Sequence, residues 1–101
     1  MDNRMIRQLQ DMQKKMEKAQ ADLVNETVTA TAGGGAVTVE MNGHHKVMAI
    51  TIDPDAVDKD DVETLQDMLL AALDQALEKA QDMAQKKMSA ITGGLNIPGM
   101  F

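Results

Sequence analysis

The stretch Val37-Thr38-Val39-Glu40-Met41-Asn42-Gly43-His44-His45-Lys46-Val47-Met48-Ala49-Ile50-Thr51-Ile52 decides the fold. Residues 36–41 place Val37, Val39 and Met41 on one face and Thr38 and Glu40 on the other, the alternation of a half-buried strand. Asn42-Gly43 then predicts a tight hairpin, because a type I′ turn requires positive φ at both central residues. Residues 44–52 return as another strand, with Met48, Ile50 and Ile52 on one face and Val47, Ala49 and Thr51 on the other. A strand apolar on both faces belongs at the centre of a sheet, or at an edge that another subunit covers.

Working outward, residues 26–32 alternate again. Thr27, Thr29 and Thr31 face one way and Val28, Ala30 and Ala32 the other, before Gly33-Gly34-Gly35 breaks the run as a flexible connection. Asp53-Pro54-Asp55 ends the sheet, since proline cannot donate to a ladder. Beyond it, Asp60 as N-cap and Glu63 three residues later predict a capping box opening a helix over about 61–89. Val62, Leu65, Leu69, Ala72, Leu73, Ala76, Leu77, Ala80, Met83 and Ala84 make its apolar face, and Glu63, Asp67, Asp74, Glu78 and Asp82 an acidic ridge opposite. The helix is expected to stop near Ala90, leaving 91–101 as a loosely held apolar tail. Residues 4–24 read as an amphipathic helix, whose stripe Met5, Leu9, Met12, Met16, Ala19 and Leu23 is heptad-like. The elements therefore run α-β-β-β-α. This is an α+β chain, one domain over 1–101, with a three-stranded antiparallel sheet and two long helices.

Composition adds a constraint. The 101 residues include ten methionines, one phenylalanine and no tryptophan or tyrosine. Methionine fills gaps but specifies packing poorly, and a chain this short buries a limited core, so an oligomer is expected. No signal peptide or membrane-length apolar run is present, which points to the cytoplasm and away from a membrane partner.

Charge is unevenly placed. The net charge is −6, but residues 53–101 carry four lysines against ten acids, whereas residues 1–25 carry five basic and four acidic side chains. Arg4, Arg7, Lys14, Lys15 and Lys18 fall within about 100° of arc on the first helix, with Asp11 and Asp22 diluting the face. The residues alone leave open a solvated surface, a phosphate-binding face or a protein dock. A symmetric dimer would double the cations, and ~4–6 phosphate contacts would give log K a slope of roughly −4 to −5 against log salt.

Catalytic chemistry finds little support. There is no cysteine, and Ser89, the one serine, lies near a helix end without a base and orienter. The glycine run is followed by a strand and lacks the phosphate-loop pattern. His44-His45 would point to opposite faces of a strand and cannot readily chelate one metal, though either could touch DNA or a partner. Asp53, Asp55, Asp58, Asp60 and Asp61 lack EF-hand spacing. The expectation is a protein that is not an enzyme and carries no cofactor or metal.

Met12-Gln13-Lys14-Lys15-Met16, then Gly33-Gly34-Gly35-Ala36-Val37-Thr38-Val39-Glu40-Met41-Asn42-Gly43 leading into Val47-Met48-Ala49-Ile50-Thr51-Ile52-Asp53-Pro54, and finally Ile91-Thr92-Gly93-Gly94-Leu95 with Pro98-Gly99, occur in this order over nearly the whole chain. In these blocks the chain resembles the YbaB/EbfC family of bacterial nucleoid-associated proteins. The resemblance implies a tweezer-like homodimer with joined sheets and projecting helices, duplex DNA as partner, and a place in the cytoplasm at the nucleoid. Members commonly lie beside a recombination mediator gene, which implies a link to DNA repair and makes recombination proteins further partners. The helical arms are the implied DNA contact. In this chain that means Arg4, Arg7, Lys14, Lys15 and Lys18, with Lys86 and Lys87 as additions from the second helix. The alternative is a non-catalytic dimeric scaffold that recruits a recombination or replication protein through the acidic ridge or the apolar tail.

Overall fold

A computed structural model describes residues 2–93. It begins with helix α1, Asn3–Leu23, which is capped by Asp2, whose carboxylate accepts the Met5 N–H at 2.8 Å. Only Ala19 and Leu23 of the heptad-like stripe are buried. Met5, Leu9 and Met16 are exposed and Met12 is half-buried, so the N-terminal part of the stripe stays largely open among the described residues.

Strands β1, Thr27–Ala32, β2, Val37–Asn42, and β3, Val47–Ile52, form an antiparallel sheet in the order β1-β2-β3. The central strand is β2. Of the two positions open to the doubly apolar strand β3, the structure selects the edge. Gly33, Gly34 and Gly35, between β1 and β2, have φ of 66, 69 and 96°, so this connection needs three successive left-handed residues, a conformation only glycine adopts at low cost.

The type I′ turn expected at Asn42-Gly43 does not form. Asn42 ends β2 and is buried, and the loop spans 43–46 with His45 as its left-handed residue at φ 64°. Asn42 Oδ1 accepts the N–H groups of His44 at 2.9 Å and Lys46 at 3.0 Å, while its Nδ2 donates to the Val24 carbonyl at 3.2 Å. Gly43 is required by close approach rather than by φ: its N–H donates to the carbonyls of Leu23 and Glu26 at 2.9 and 3.0 Å. The register also slips, pairing Glu40 with Ala49 but Met41 with Val47, so a bulge at Met48 interrupts the alternation expected for β3.

A 3-10 turn at Pro54–Ala56 leads to helix α2, Val62–Thr92. Its N-cap is Asp61, not Asp60. The Asp61 carboxylate accepts the Thr64 N–H at 3.3 Å and its hydroxyl at 2.7 Å, while the Asp60 N–H is held by Asp58 at 2.9 Å. Glu63 then lies two residues past the cap, too near for a capping box. At the other end α2 runs beyond Ala90 until Gly93, whose N–H donates to the Ser89 carbonyl at 2.7 Å. Residues 91 and 92 thus belong to the helix; the rest of the expected tail, 94–101, lies outside the described residues.

The core is a helix on a sheet. Ala72, Ala76 and Ala80, one helical turn apart, are fully buried and let α2 approach Ala30, Val37, Val39 and Met41 closely. The helix lies over β1 and β2 and makes little contact with β3. Val62 and Leu77, expected on the buried face, are exposed, as are Leu70, Val47, Met48 and Ile50. The molecule is elongated, measuring 69 × 26 × 15 Å.

Candidate nucleic-acid interface

Helix α1 is well suited to display charge. Among the described residues its buried side chains are Ala19 and Leu23, and most of its other positions are exposed. Arg4, Arg7, Lys14, Lys15 and Lys18 are all exposed, and among the described residues none enters an ion pair. They form one continuous face along the helix, with Asp11 exposed and Asp22 half-buried within it.

The two lysines from α2 are placed differently. Lys87 is half-buried, and its ammonium sits 2.8 and 2.9 Å from the two carboxylate oxygens of Glu26. It joins Lys15 and Lys18 along one open groove at the α1–α2 crossing, with Ala19, Asp22, Ala90 and Ile91 as the other lining residues. Lys86 lies on another side of α2, beside Val28, Lys79 and Met83, and pairs with Asp82 at 3.0 Å. The structure therefore brings Lys15, Lys18 and Lys87 together, extends the same helix to Arg4 and Arg7, and sets Lys86 apart. Intramolecular pairing already meets part of the charge of both Lys86 and Lys87.

The histidines do not form a site. The His44 ring lies over the C-terminal part of α1, with Nε2 donating to the Gln20 carbonyl at 2.6 Å, so it ties the hairpin loop to the helix. Among the described residues no group of three or more His, Cys, Asp or Glu side chains is arranged to hold a metal ion. None of the described helices is long and apolar enough to cross a membrane. Glu63, Asp67, Asp74, Glu78 and Asp82 are exposed along α2, and of these Asp82 alone has an ion-pair partner among the described residues.

Two contacts had no forecast in the sequence. Lys79, embedded in the acidic stretch of α2, donates to the Thr29 carbonyl of β1 at 2.8 Å, and Glu26 accepts from Lys87. Each joins residues far apart in the chain, so no local pattern marks it.

Comparison with known proteins agrees with this architecture. The chain is 54% identical over 99 residues to the nucleoid-associated protein Teth39_2199 of Thermoanaerobacter pseudethanolicus, an alignment spanning 98% of this chain and 89% of that protein. A nucleoid-associated protein of Alkaliphilus metalliredigens is 50% identical over 99 residues, with 98% and 87% covered. Among solved structures, the uncharacterized protein HP0035 of Helicobacter pylori superposes with a TM-score of 0.71 at 25% identity, covering 85% of this chain and 91% of that one. The profile of the YbaB/EbfC DNA-binding family matches residues 1–95, and with it the chain is shown to belong to the YbaB/EbfC DNA-binding family.

Proposed function

We propose that this protein binds duplex DNA with low sequence specificity as a nucleoid-associated homodimer in the bacterial cytoplasm, and that the basic face of α1 is the contact. The observation that carries this reading is the row Arg4, Arg7, Lys14, Lys15 and Lys18, exposed and without ion-pair partners among the described residues, on a helix that projects from the sheet. Members of the family are non-catalytic DNA-binding proteins. Flexible cations on a helix surface suit phosphates, which position a protein on DNA without reading its sequence. The acidic ridge on α2 directs DNA toward α1 and limits its wrapping around the rest of the protein.

The homodimer reading has its own support. Among the described residues no strand pairs with the outer edge of β3, which has no charged residue, and Val47, Met48 and Ile50 are exposed on it. Leu70 and Leu77 also lie exposed on α2. By helical arithmetic they sit about 160–180° from Lys79, on the side of α2 away from the β1 edge. Pairing two β3 edges would cover this surface and repeat the basic arm by symmetry.

Duplex affinity measured against salt tests the DNA contact. Replacing Lys14 and Lys15 together by alanine should lower affinity and flatten the slope by roughly 2 per protomer engaged. Affinity and slope that match the parent would remove α1 as the site. A parent that fails to bind duplex at low salt would favour the scaffold that recruits a recombination or replication protein.

A further inference from the structure

The sheet has two edges, and they are treated differently. Directions follow from the ladder. On β2 and its flanks, the Asn42 N–H donates to Lys46 and the Ala36 carbonyl accepts from Asp53, so even-numbered residues aim their main-chain groups at β3 and odd-numbered ones at β1. The register pairs Val28 with Met41, Ala30 with Val39 and Ala32 with Val37, so these β1 residues bond inward. Thr27, Thr29 and Thr31 therefore aim their N–H and C=O groups at the outer edge. By the same rule Ala49 and Thr51 bond to β2, and Ile50 and Ile52 face outward on β3.

The Lys79 ammonium donates to the Thr29 carbonyl, one of those outward groups, at 2.8 Å. Near the start of the same strand Lys87 holds Glu26. Helix α2 thus straps β1 at two points and lays a cation across its free edge. Strand β3, Val47–Ile52, has no lysine, no other charge and no proline. Charged side chains, lysine above all, are how natural sheets stop an edge from recruiting another strand.

We propose that Lys79 guards the β1 edge, so that copies of this chain join through β3 alone and assembly closes at two subunits. The inference rests on reading β3 as the joining edge. Without the guard each joined sheet would keep an open β1 edge at both ends, and repeated pairing there would build a larger assembly instead of a closed pair.

Sedimentation velocity across a micromolar concentration series tests this with Lys79→Met, which keeps the apolar stem but loses the donor and charge, and Lys79→Arg, which keeps both. The parent and Lys79→Arg should hold the same single species. Lys79→Met should form species larger than a dimer within the concentration range over which the parent stays a single species. Adding Thr29→Lys to Lys79→Met should restore the parent distribution by returning a cation to the edge. A Lys79→Met protein that matches the parent throughout, or larger species that persist with Thr29→Lys, would overturn the guard. A monomeric parent would overturn the β3 pairing, while the difference between Lys79→Met and the parent still decides the role of Lys79.

Discussion

Gly43 and Leu23 interlock. The Gly43 N–H donates to the Leu23 carbonyl at 2.9 Å, and a Cβ built on Gly43 would stand 2.5 Å from Leu23 Cδ2 and 2.7 Å from its Cβ. Leu23 is 1% exposed, so its side chain has nowhere to retreat. Gly43→Ala should therefore cost about 1–3 kcal/mol through overpacking, read as a lower urea midpoint. Leu23→Ala should cost about 2–5 kcal/mol by leaving a cavity. If the two changes interact as neighbours, the Leu23→Ala/Gly43→Ala double variant should lose less stability than the sum of the single effects.

Asn42 should tolerate neither removal nor conversion to a charge. Its amide serves two N–H groups of the loop and the Val24 carbonyl from a site 3% exposed. Asn42→Ala leaves those groups unpaired, at a cost of about 1–3 kcal/mol. Asn42→Asp keeps the acceptor but turns the donor facing Val24 into a second oxygen, so it should also destabilise. Chemical denaturation of both variants checks this, and backbone amide exchange at His44 and Lys46 should quicken in Asn42→Ala.

Helix α1 should respond to substitution in two different ways along its length. Leu9, 50% exposed, lies outside the core formed by the described residues, so Leu9→Ala should change the stability of one subunit by less than about 0.5 kcal/mol, beside the larger loss for Leu23→Ala. A Leu9→Ala loss comparable to that of Leu23→Ala would mean that the stripe is buried against something beyond residues 2–93 of the same subunit.

Lys18 and Lys87 share a groove but should separate in function. Lys18→Ala should weaken duplex binding and lower the salt slope by about 1 per engaged protomer, since a phosphate contact releases a counterion. Lys87 is already paired with Glu26, so Lys87→Ala should change the slope less than Lys18→Ala does. Its effect should appear instead in stability, with a Glu26/Lys87 double-mutant cycle giving a coupling of up to about 1 kcal/mol for a pair that is partly open to solvent.

What could be read along the chain was whatever repeats locally. The 3.6-residue stripe of α1, the alternation through Thr27–Ala32 and Val37–Met41, and the alanine ladder of α2 all declare themselves within a few residues, and each element appears where its period places it. The N-cap of α2 was less legible because Asp58, Asp60 and Asp61 offer similar side chains within four positions, and only the backbone path shows which one meets Thr64. The turn after β2 is hard to read from sequence for a different reason: Gly43 answers to the packing of Leu23, a tertiary demand that looks like a turn signal in one dimension. Lys79 gave no sign at all, since its target, Thr29, lies 50 residues away. Of the candidate cations, the row on α1 was visible as periodicity, whereas the pairing of Lys86 and Lys87 needed coordinates.

Among the described residues, helix α1 is anchored near its C-terminal end, where Ala19 and Leu23 are buried and the Gln20 carbonyl accepts from His44. For inheritance this is a division of labour. Changes over its first four turns leave the folding of the sheet and α2 almost untouched, so selection can add, delete or reposition arginines and lysines there without jeopardising the scaffold. With α1 as the proposed DNA contact, a lineage could tune how firmly it holds duplex DNA, for a hotter or saltier cell, by small substitutions along one projecting rod, while the alanines beneath α2 stay under a separate and stricter constraint.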